Sequence, residues 1–131
     1  MTTEHHWRGA FDNPELNALH ARGFGGEPSD EDRWGRVRAH SLGWVCARRG
    51  GALVGFVNVA WDGGVHAFVL DTVTDPDLRR EGIGAAMVRL AAARAADAGC
   101  RWLHVDFEEH LDDFYLRACG FVPTAAGLLA L

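Results

Sequence analysis

The chain contains no lysine, because all 13 of its basic residues are arginines. This absence excludes catalysis through a lysine Schiff base. The three cysteines (Cys46, Cys100 and Cys119) are odd in number and widely spaced, so they indicate free thiols in a reducing compartment rather than a disulfide framework. No apolar run approaches the ~18 residues of a membrane-spanning helix, and the first twenty residues lack the apolar core of a signal peptide. We therefore expect a cytoplasmic protein with no membrane partner.

The bulk composition favours one folded domain over residues 1–131. Hydrophobic residues make up 48% of the chain and the net charge is only −5, so disorder is not indicated. A chain of 131 residues is long enough to bury roughly two thirds of its unfolded surface. The mild acidity argues against nucleic acid as a partner.

The first two thirds of the sequence predict two short helices followed by a β-meander. Asn13 followed by Pro14 is typical of an N-cap and a first helical position, and Ser29–Asp32 predicts the start of a second helix. Three antiparallel strands are predicted at 43–49, 52–61 and 65–74, because two glycine-rich turns separate runs of β-branched and aromatic residues.

The last third predicts alternating elements, so the residue pattern indicates an α+β fold. An apolar stripe at helical spacing begins at Ile83, and we expect this helix to end at Gly99, which would be its C′ residue. We then expect a strand at 102–107, a short helix at 110–121 and a terminal strand or hairpin at 121–131.

A glycine-rich stretch opens the helix that begins at Ile83 and reads Arg-Arg-Glu-Gly-Ile-Gly-Ala-Ala-Met from position 79. Its glycines could be ordinary turn residues. A Rossmann dinucleotide site is the second interpretation, since Asp106 follows at about the right distance. However, Met87 stands where that motif has its third glycine. Three antiparallel strands also precede the loop, whereas a Rossmann fold begins with a parallel βαβ unit.

The third interpretation is that the loop binds a diphosphate. The first turn of a helix has unpaired N–H groups and the positive end of the dipole, and Gly82, Gly84 and Ala85 would let a diphosphate approach the backbone. Arg79 and Arg80 add positive charge beside it. An unpaired strand edge upstream could bind an extended amide-bearing chain. Coenzyme A combines both parts, so this pattern favours an acyl-CoA ligand.

Two segments resemble a known family. Residues 71–88 resemble motif A of the GNAT superfamily of acyl-CoA-dependent N-acetyltransferases, whose core signature Arg/Gln-x-x-Gly-x-Gly/Ala is matched by Arg79, Gly82 and Gly84. Residues 114–121 resemble the family's segment of a Phe-Tyr pair followed by Gly-Phe, and the order of elements is similar throughout. The resemblance implies a three-layer α+β fold with a mixed, mostly antiparallel sheet flanked by helices. It also implies an N-acetyltransferase with acetyl-CoA as co-substrate and no metal.

The resemblance also implies roles for individual residues. Tyr115 would be the general acid near the CoA sulfur, although Tyr115 also falls on an apolar helical stripe and could be a packing residue. A backbone N–H of Val73 or Thr74 would stabilise the oxyanion, and both backbones would pair with pantetheine. The remaining cofactor-binding residues are Arg79, Arg80, Glu81, Gly82, Ile83, Gly84 and Ala85.

The general base stays open at this stage. Asp71 lies on the strand before the loop, where related enzymes often carry an acid, but it could equally be structural. His104, Asp106 and Glu108 alternate on the strand predicted at 102–107 and beyond, so they would share one face, and His66 is a further option. Glu108 departs from the family, which often has a CoA-contacting asparagine at that position. An acid there either points toward a cationic acceptor or weakens cofactor binding.

The acceptor implied by the resemblance is a small-molecule or peptide amine. Its pocket would be bordered by the loop Arg22–Trp34, with an apolar wall from Phe24 and Trp34 and with Glu27, Asp30 and Glu31 either attracting a cation or only solvated. The resemblance also suggests a homodimer, for which the apolar segment Gly127–Leu131 would supply a shared sheet edge.

Two other function classes compete with an acetyltransferase. One is a CoA-binding module without turnover, which Glu108 keeps open. The other is a small metal enzyme, because His104, Asp106 and Glu108 would supply three ligands for a divalent ion. That second alternative leaves the glycine-rich loop unexplained.

Overall fold

A mixed five-stranded β-sheet forms the middle layer of the fold, whose structure is a computed structural model that describes residues 2–131. Its strands follow chain order: β1 (Thr3–Trp7), β2 (Ser41–Arg49), β3 (Ala52–Trp61), β4 (His66–Thr74) and β5 (Trp102–His104). Strands β1 to β4 are antiparallel neighbours, and β5 pairs with β4 in parallel. The predicted meander and the predicted mixed, mostly antiparallel sheet are both confirmed.

Helices cover both faces of the sheet, which confirms the three layers. Helices α1 (Asn13–Phe24) and α2 (Arg33–His40) bury Leu16, Leu19 and Val37 against one face, together with Trp44 and Cys46 of β2. Helix α3 (Ile83–Asp97) covers the other face, where its apolar stripe packs on the alternate β2 residues Val45 and Ala47. Because both faces are covered, β2 and β3 are buried along most of their length. None of the helices described within residues 2–131 is both long and apolar enough to cross a bilayer.

The two N-terminal helices begin at caps other than those predicted. Asp12, rather than Asn13, caps α1: its carboxylate accepts the Glu15 N–H at 2.8 Å, and the Glu15 carboxylate accepts the Asp12 N–H at 3.0 Å. The second helix starts at Arg33 with Asp32 as its cap, so Ser29 lies before the helix rather than at its start. In both cases the aspartate directly before the helix is the residue that satisfies a free N–H of the first turn.

A bidentate ion pair fastens α1 to the sheet. Arg48 on β2 donates to both Glu15 carboxylate oxygens, at 2.9 and 2.8 Å. This hydrogen bonding is the main reason that the pKa of Glu15 lies below its usual value. The pair therefore stabilises the fold above the ordinary pKa of a glutamate, and that contribution is lost as the pH falls through the lowered value. It holds in place the helix whose last turns carry His20, Gly23 and Phe24.

Of the two predicted C-terminal strands, the first is shorter than predicted and the second is absent. Strand β5 ends at His104 instead of 107, because its pairing with β4 stops at Phe68 and a strand needs a partner. Residues 121–131 form no strand. This segment pairs with no strand of the described sheet, and Leu128, Leu129 and Leu131 stay exposed.

The helix predicted at 110–121 is present, but it consists of two successive turns of different helical type. A 3₁₀ turn covers Glu109–Leu111, and a π-helical turn covers Asp113–Ala118, which we call the π turn. Its widened ring is closed by the Cys119 N–H, which donates to the Phe114 carbonyl at 2.9 Å. The helix stops before Gly120, whose φ of 82° is left-handed. Turns of this type are frequent at functional sites.

Candidate active site

A fork between β4 and β5 creates the main cavity of the molecule. The two parallel strands pair only from His66 with Trp102 to Phe68 with His104. Beyond that point β4 contains a β-bulge, since its register against β3 shifts between Val73 and Leu70. Asp71 lies in the bulge with a φ of 57°. A bulge bends its strand and increases the local twist, so β4 turns away from the chain that follows β5.

The fork opens into a cleft of about 1360 Å³. Five segments line it: β4 after the pairing ends, the loop from Leu78 into the start of α3, the end of α1, the chain from Val105 to the π turn, and the C-terminal segment through Leu128. The lining residues central to the site are His20, Phe24, Asp71, Thr72, Val73, Thr74, Arg79, Arg80, Gly82, Ile83, Gly84, Ala85, Asp106, Glu108 and Tyr115. The fold therefore brings together all but one of the residues assigned to cofactor binding or catalysis; the exception is Glu81.

The β4 backbone presents a free edge to this cleft. On its other side, the Asp75 N–H donates to the Val54 carbonyl at 2.8 Å. Backbone groups of successive strand residues point to opposite sides, so the N–H and C=O of Thr74 face the cleft and those of Val73 face β3. The Val73 side chain is 4% exposed and belongs to the core. Thr74 is thus the better placed of the two for pairing with an extended ligand.

The start of α3 is uncapped and faces the same cleft. Gly82 is the N-cap residue, with a φ of 82° and no side-chain hydrogen bond to the first turn. The first intrahelical bond runs from the Ala86 N–H to the Gly82 carbonyl at 3.0 Å. The N–H groups of Ile83, Gly84 and Ala85 therefore have no partner within the helix. Such a terminus is a ready-made anion site when positive charge lies nearby.

The charged residues of the loop divide into two groups. Arg79 and Arg80 line the cleft, and the Arg79 guanidinium also donates to the Gly23 carbonyl at 3.2 Å. Glu81 is not a lining residue, because its carboxylate pairs with Arg49 at 2.8 Å. The pairing with Arg49 thus keeps the Glu81 carboxylate, the one negative charge among residues 79–85, away from the candidate anion site.

Gly84 has a packing role that the sequence did not reveal. A Cβ at this position would lie 2.9 and 3.0 Å from two ring atoms of Phe114, closer than side chains tolerate. The Phe114 ring therefore rests directly on the first turn of α3. Through this contact, the helix start and the π turn that carries Tyr115 are held together.

Tyr115 lines the cleft and is buried among aromatic rings. It is 6% exposed and stacks on Phe107 with ring centroids 4.8 Å apart, while Phe114 meets it edge-on at 4.7 Å. Burial raises the pKa of Tyr115, and the nearby Thr72 side chain partly opposes that rise. The Thr72 hydroxyl itself is buried and makes no hydrogen bond of acceptable geometry within residues 2–131. The phenol is therefore protonated at neutral pH.

The candidate bases are separated by the fold. Asp71, Asp106 and Glu108 line the cleft, whereas His66 and His104 do not. The two histidines instead meet each other, with His66 Nδ1 2.8 Å from His104 Nε2. Because β5 ends at His104, Asp106 and Glu108 lie beyond the strand that was predicted to carry all three residues on one face. Over residues 2–131, no three His, Cys, Asp or Glu side chains are arranged to hold a metal ion.

His20 is a site residue that the sequence analysis missed. It lines the cleft next to Asp71 and stacks obliquely on Phe24 at 4.5 Å. Burial is the largest influence on it and lowers its pKa. Its position one helical turn after Leu16 and next to the buried Leu19 was the available signal, because that spacing places it on the inward face of α1.

The loop Arg22–Trp34 borders the cavity only in part. Phe24 lines the cleft and is 61% exposed, as expected for an apolar wall. Trp34 does not join that wall; it packs edge-on against Phe11 and Trp44 in the core, at 5.1 and 5.6 Å. The segment between them reaches a second, smaller cavity through Glu31.

Comparison with known proteins gives one consistent family. The model of the acetyltransferase (GNAT) family matches residues 7–121. A GNAT family acetyltransferase from Streptococcus pneumoniae superposes with a TM-score of 0.80 at 20% identity, over 99% of this chain and 98% of the other. Glucosamine-6-phosphate N-acetyltransferase from Arabidopsis thaliana gives 0.79 at 15% identity, over 100% and 99%. An aminoglycoside N-acetyltransferase in complex with CoA gives 0.78 at 16% identity, over 99% and 94%.

Proposed function

The chain belongs to the acetyltransferase (GNAT) family and is an acyl-CoA-dependent N-acetyltransferase, and we propose that it moves the acetyl group of acetyl-CoA to the primary amine of a small molecule by direct attack. One observation carries the proposal: a single cleft joins an uncapped helix start, a free strand edge and a buried tyrosine. We propose that residues 1–131 act as one acetyltransferase domain.

The cofactor proposal is supported by the fit between the cleft and the two halves of coenzyme A. The N–H groups at the start of α3, with Arg79 and Arg80 beside them, suit a diphosphate. The outward-facing N–H and C=O of Thr74 suit the amides of pantetheine, which would add to the sheet as an extra strand. Val73 and Ile83 would shape this site from the core, while Glu81 would act only through its pairing with Arg49.

The chemistry asks three tasks of this chain when the thioester is present. Asp71, exposed at the bulge, would take a proton from the amine, whose ammonium form otherwise persists to a pKa of ~10. The Thr74 N–H would donate to the developing oxyanion. Tyr115, protonated at neutral pH, would donate to the leaving thiolate. Attack leaves a second proton on the nitrogen, and its transfer to the Tyr115 phenolate would restore the phenol, so the net proton released is the one held by Asp71.

Direct attack is favoured over an acyl-cysteine because no thiol is activated. Burial raises the pKa of Cys46 to about 12, and it also raises those of Cys100 and Cys119. Only the thiolate is a nucleophile, and none of the three residues lines the cleft. All three cysteines are free, which also supports our proposal of a cytoplasmic location.

The acceptor class rests on the fold neighbours. Two of those neighbours are named for aminoglycosides and for glucosamine 6-phosphate, both small-molecule amines. We propose the same class of acceptor here. We also propose a homodimer, because Leu129 and Leu131 are exposed and β5 is an edge strand of the described sheet.

Calorimetric titration with acetyl-CoA, with NAD as the control ligand, tests this function. We expect binding of acetyl-CoA alone, followed by release of free CoA thiol when amines are added. Binding without turnover of any amine would favour the non-catalytic CoA-binding module instead. Absence of binding would mean that Glu108, whose one ion pair within residues 2–131 is with the exposed His110 at 3.5 Å, blocks the site or that the glycine loop is only a turn.

A further inference from the structure

A second cavity of about 380 Å³ adjoins the cleft at the β4 bulge. The two cavities share His20, Leu70 and Asp71, so a molecule in the smaller one reaches the acyl-transfer site at Asp71. Its far wall consists of Glu31, Arg33 and Arg36, at the start of α2. We call this cavity the acceptor pocket.

The α2 wall of the acceptor pocket carries a net positive charge. The Glu31 carboxylate lies 2.9 Å from the Arg36 guanidinium and 3.7 Å from that of Arg33. One negative charge thus faces two positive ones. The Arg33 side chain is fixed in place, since it is 8% exposed and its Nε donates to the Asn17 side-chain oxygen at 2.6 Å. Half of the Arg36 side chain is exposed, so its guanidinium is available to a ligand.

The β4 wall carries a negative charge instead. Asp71 takes part in none of the ion pairs formed within residues 2–131. His20 lies between the two walls, where it is influenced by Asp71, Glu31, Arg33 and Arg36 together. Burial lowers the pKa of this imidazole, so His20 is neutral near pH 7 and cancels neither charge.

We propose that the acceptor pocket binds a small zwitterion, namely a primary amine that also carries a carboxylate or phosphate group. The amine lies at Asp71 beside the cleft, and the anionic group lies at Arg36 and Arg33. A volume of about 380 Å³ equals that of about a dozen liquid waters, which suits a molecule of metabolite size. This inference rests on the proposed acetyl transfer, because it assigns the reacting nitrogen to the Asp71 end.

Saturation-transfer NMR on the cofactor-free protein tests the pocket independently of acetyl-CoA. The probes are 4-aminobutyrate, butylamine and butyrate, which share one carbon chain and differ only in their charged ends. We expect a strong signal from 4-aminobutyrate and a much weaker one from either singly charged probe. Glycine, β-alanine and phosphoethanolamine then report the preferred spacing and whether the anionic group is a carboxylate or a phosphate.

Charge variants on α2 assign the anionic end. Arg36→Gln brings the net charge of the Glu31–Arg33–Arg36 group to zero, so we expect about tenfold weaker binding of 4-aminobutyrate. Arg38→Gln is the matched control, since Arg38 lies on the same helix over the Trp34 ring and outside the pocket, and we expect no change. Glu31→Gln raises the net positive charge, so binding should tighten by about threefold or more. A gain of binding cannot come from a misfolded variant.

The outcomes separate this inference from the proposed function. Butylamine binding as well as 4-aminobutyrate, or equal effects of Arg36→Gln and Arg38→Gln, would overturn the zwitterion pocket while acetyl-CoA binding and amine turnover persist. Selective 4-aminobutyrate binding that follows the α2 charges, in a protein that does not bind acetyl-CoA, would support the pocket and refute acetyl transfer.

Discussion

Asp71 combines an unusual backbone conformation with the position of a catalytic base. Its φ of 57° is left-handed, a conformation that non-glycine residues rarely adopt and that aspartate and asparagine tolerate best. Asp71→Asn therefore removes the charge without straining the bulge. We expect kcat/KM for the amine to fall by about 10²-fold or more, with acetyl-CoA affinity unchanged by calorimetry.

Two other carboxylates in the cleft are the controls for Asp71. Asp106→Asn and Glu108→Gln remove one charge each from the opposite side of the fork. If Asp71 is the base, neither control lowers kcat/KM to the same degree. A larger loss in one of them than in Asp71→Asn would transfer the assignment to that residue.

Tyr115 is distinguished from a packing residue by a substitution that keeps its ring. In Tyr115→Phe the stacking on Phe107 at 4.8 Å is retained, and only the hydroxyl is lost. We expect kcat to fall by about 10²-fold, with acetyl-CoA affinity and melting temperature nearly unchanged. Steady-state kinetics with one saturating amine measure this. A fully active variant would make Tyr115 a core aromatic.

At the scale of elements, the contact between α3 and the π turn complicates any test of the glycine loop. Gly84→Asp places negative charge where a diphosphate would lie, but it also displaces the Phe114 ring. Gly84→Asn has nearly the same volume and no charge. An acid at a helix start otherwise stabilises the helix, so the aspartate variant should fold at least as well.

We therefore expect both Gly84 variants to bind acetyl-CoA less tightly and the aspartate to be the weaker binder by about tenfold or more. Calorimetry gives the affinities, and thermal unfolding checks the fold of each variant. Equal losses of acetyl-CoA affinity in the two variants would mean that Gly84 is needed only for packing against Phe114 and that no diphosphate lies beside it.

The sequence predicted elements that are determined by local chemistry. The turns at Gly50–Gly51 and Asp62–Gly64 bounded β3 at its observed limits, and the apolar stripe from Ile83 located α3. Predictions that depended on a partner failed. Residues 102–107 have strand composition throughout, yet only Trp102–His104 find a neighbour in β4, and residues 121–131 find none in the described sheet.

The candidate site was most predictable where it coincides with a motif. The loop from Arg79 to Ala85 and Tyr115 were visible in the sequence because they match family signatures. The bulge was not visible, since an aspartate rather than a glycine adopts its left-handed conformation. His20 and Arg36 also escaped notice, because the fold alone brings α1 and α2 to β4.

At the scale of the whole molecule, the apolar C-terminal segment 122–131 bears on assembly. Leu129 and Leu131 are 86% and 117% exposed, and β5 is an edge strand of the described sheet. We expect sedimentation velocity to show a homodimer that reverts to a monomer in the double variant Leu129→Ser/Leu131→Ser. Arg117→Ser, in the exposed part of the π turn, is the control. A wild-type monomer at high micromolar concentration would refute the assembly.

The Phe114 ring resting on Gly84 joins the start of α3 to the π turn that carries Tyr115, and we expect ligand binding at the first to be linked to ionisation of the second. Linkage is reciprocal: if a ligand at the start of α3 buries Tyr115 further and raises its pKa, ionisation of Tyr115 weakens that ligand by the same factor. Affinity would then be constant below the phenol pKa of the free protein and would decline as the pH rises above it. Tyr115 is the only tyrosine of the chain, so a tyrosinate absorbance titration with and without acetyl-CoA reads this coupling directly. We therefore expect the enzyme to bind acetyl-CoA most tightly at pH values where the Tyr115 phenol is protonated.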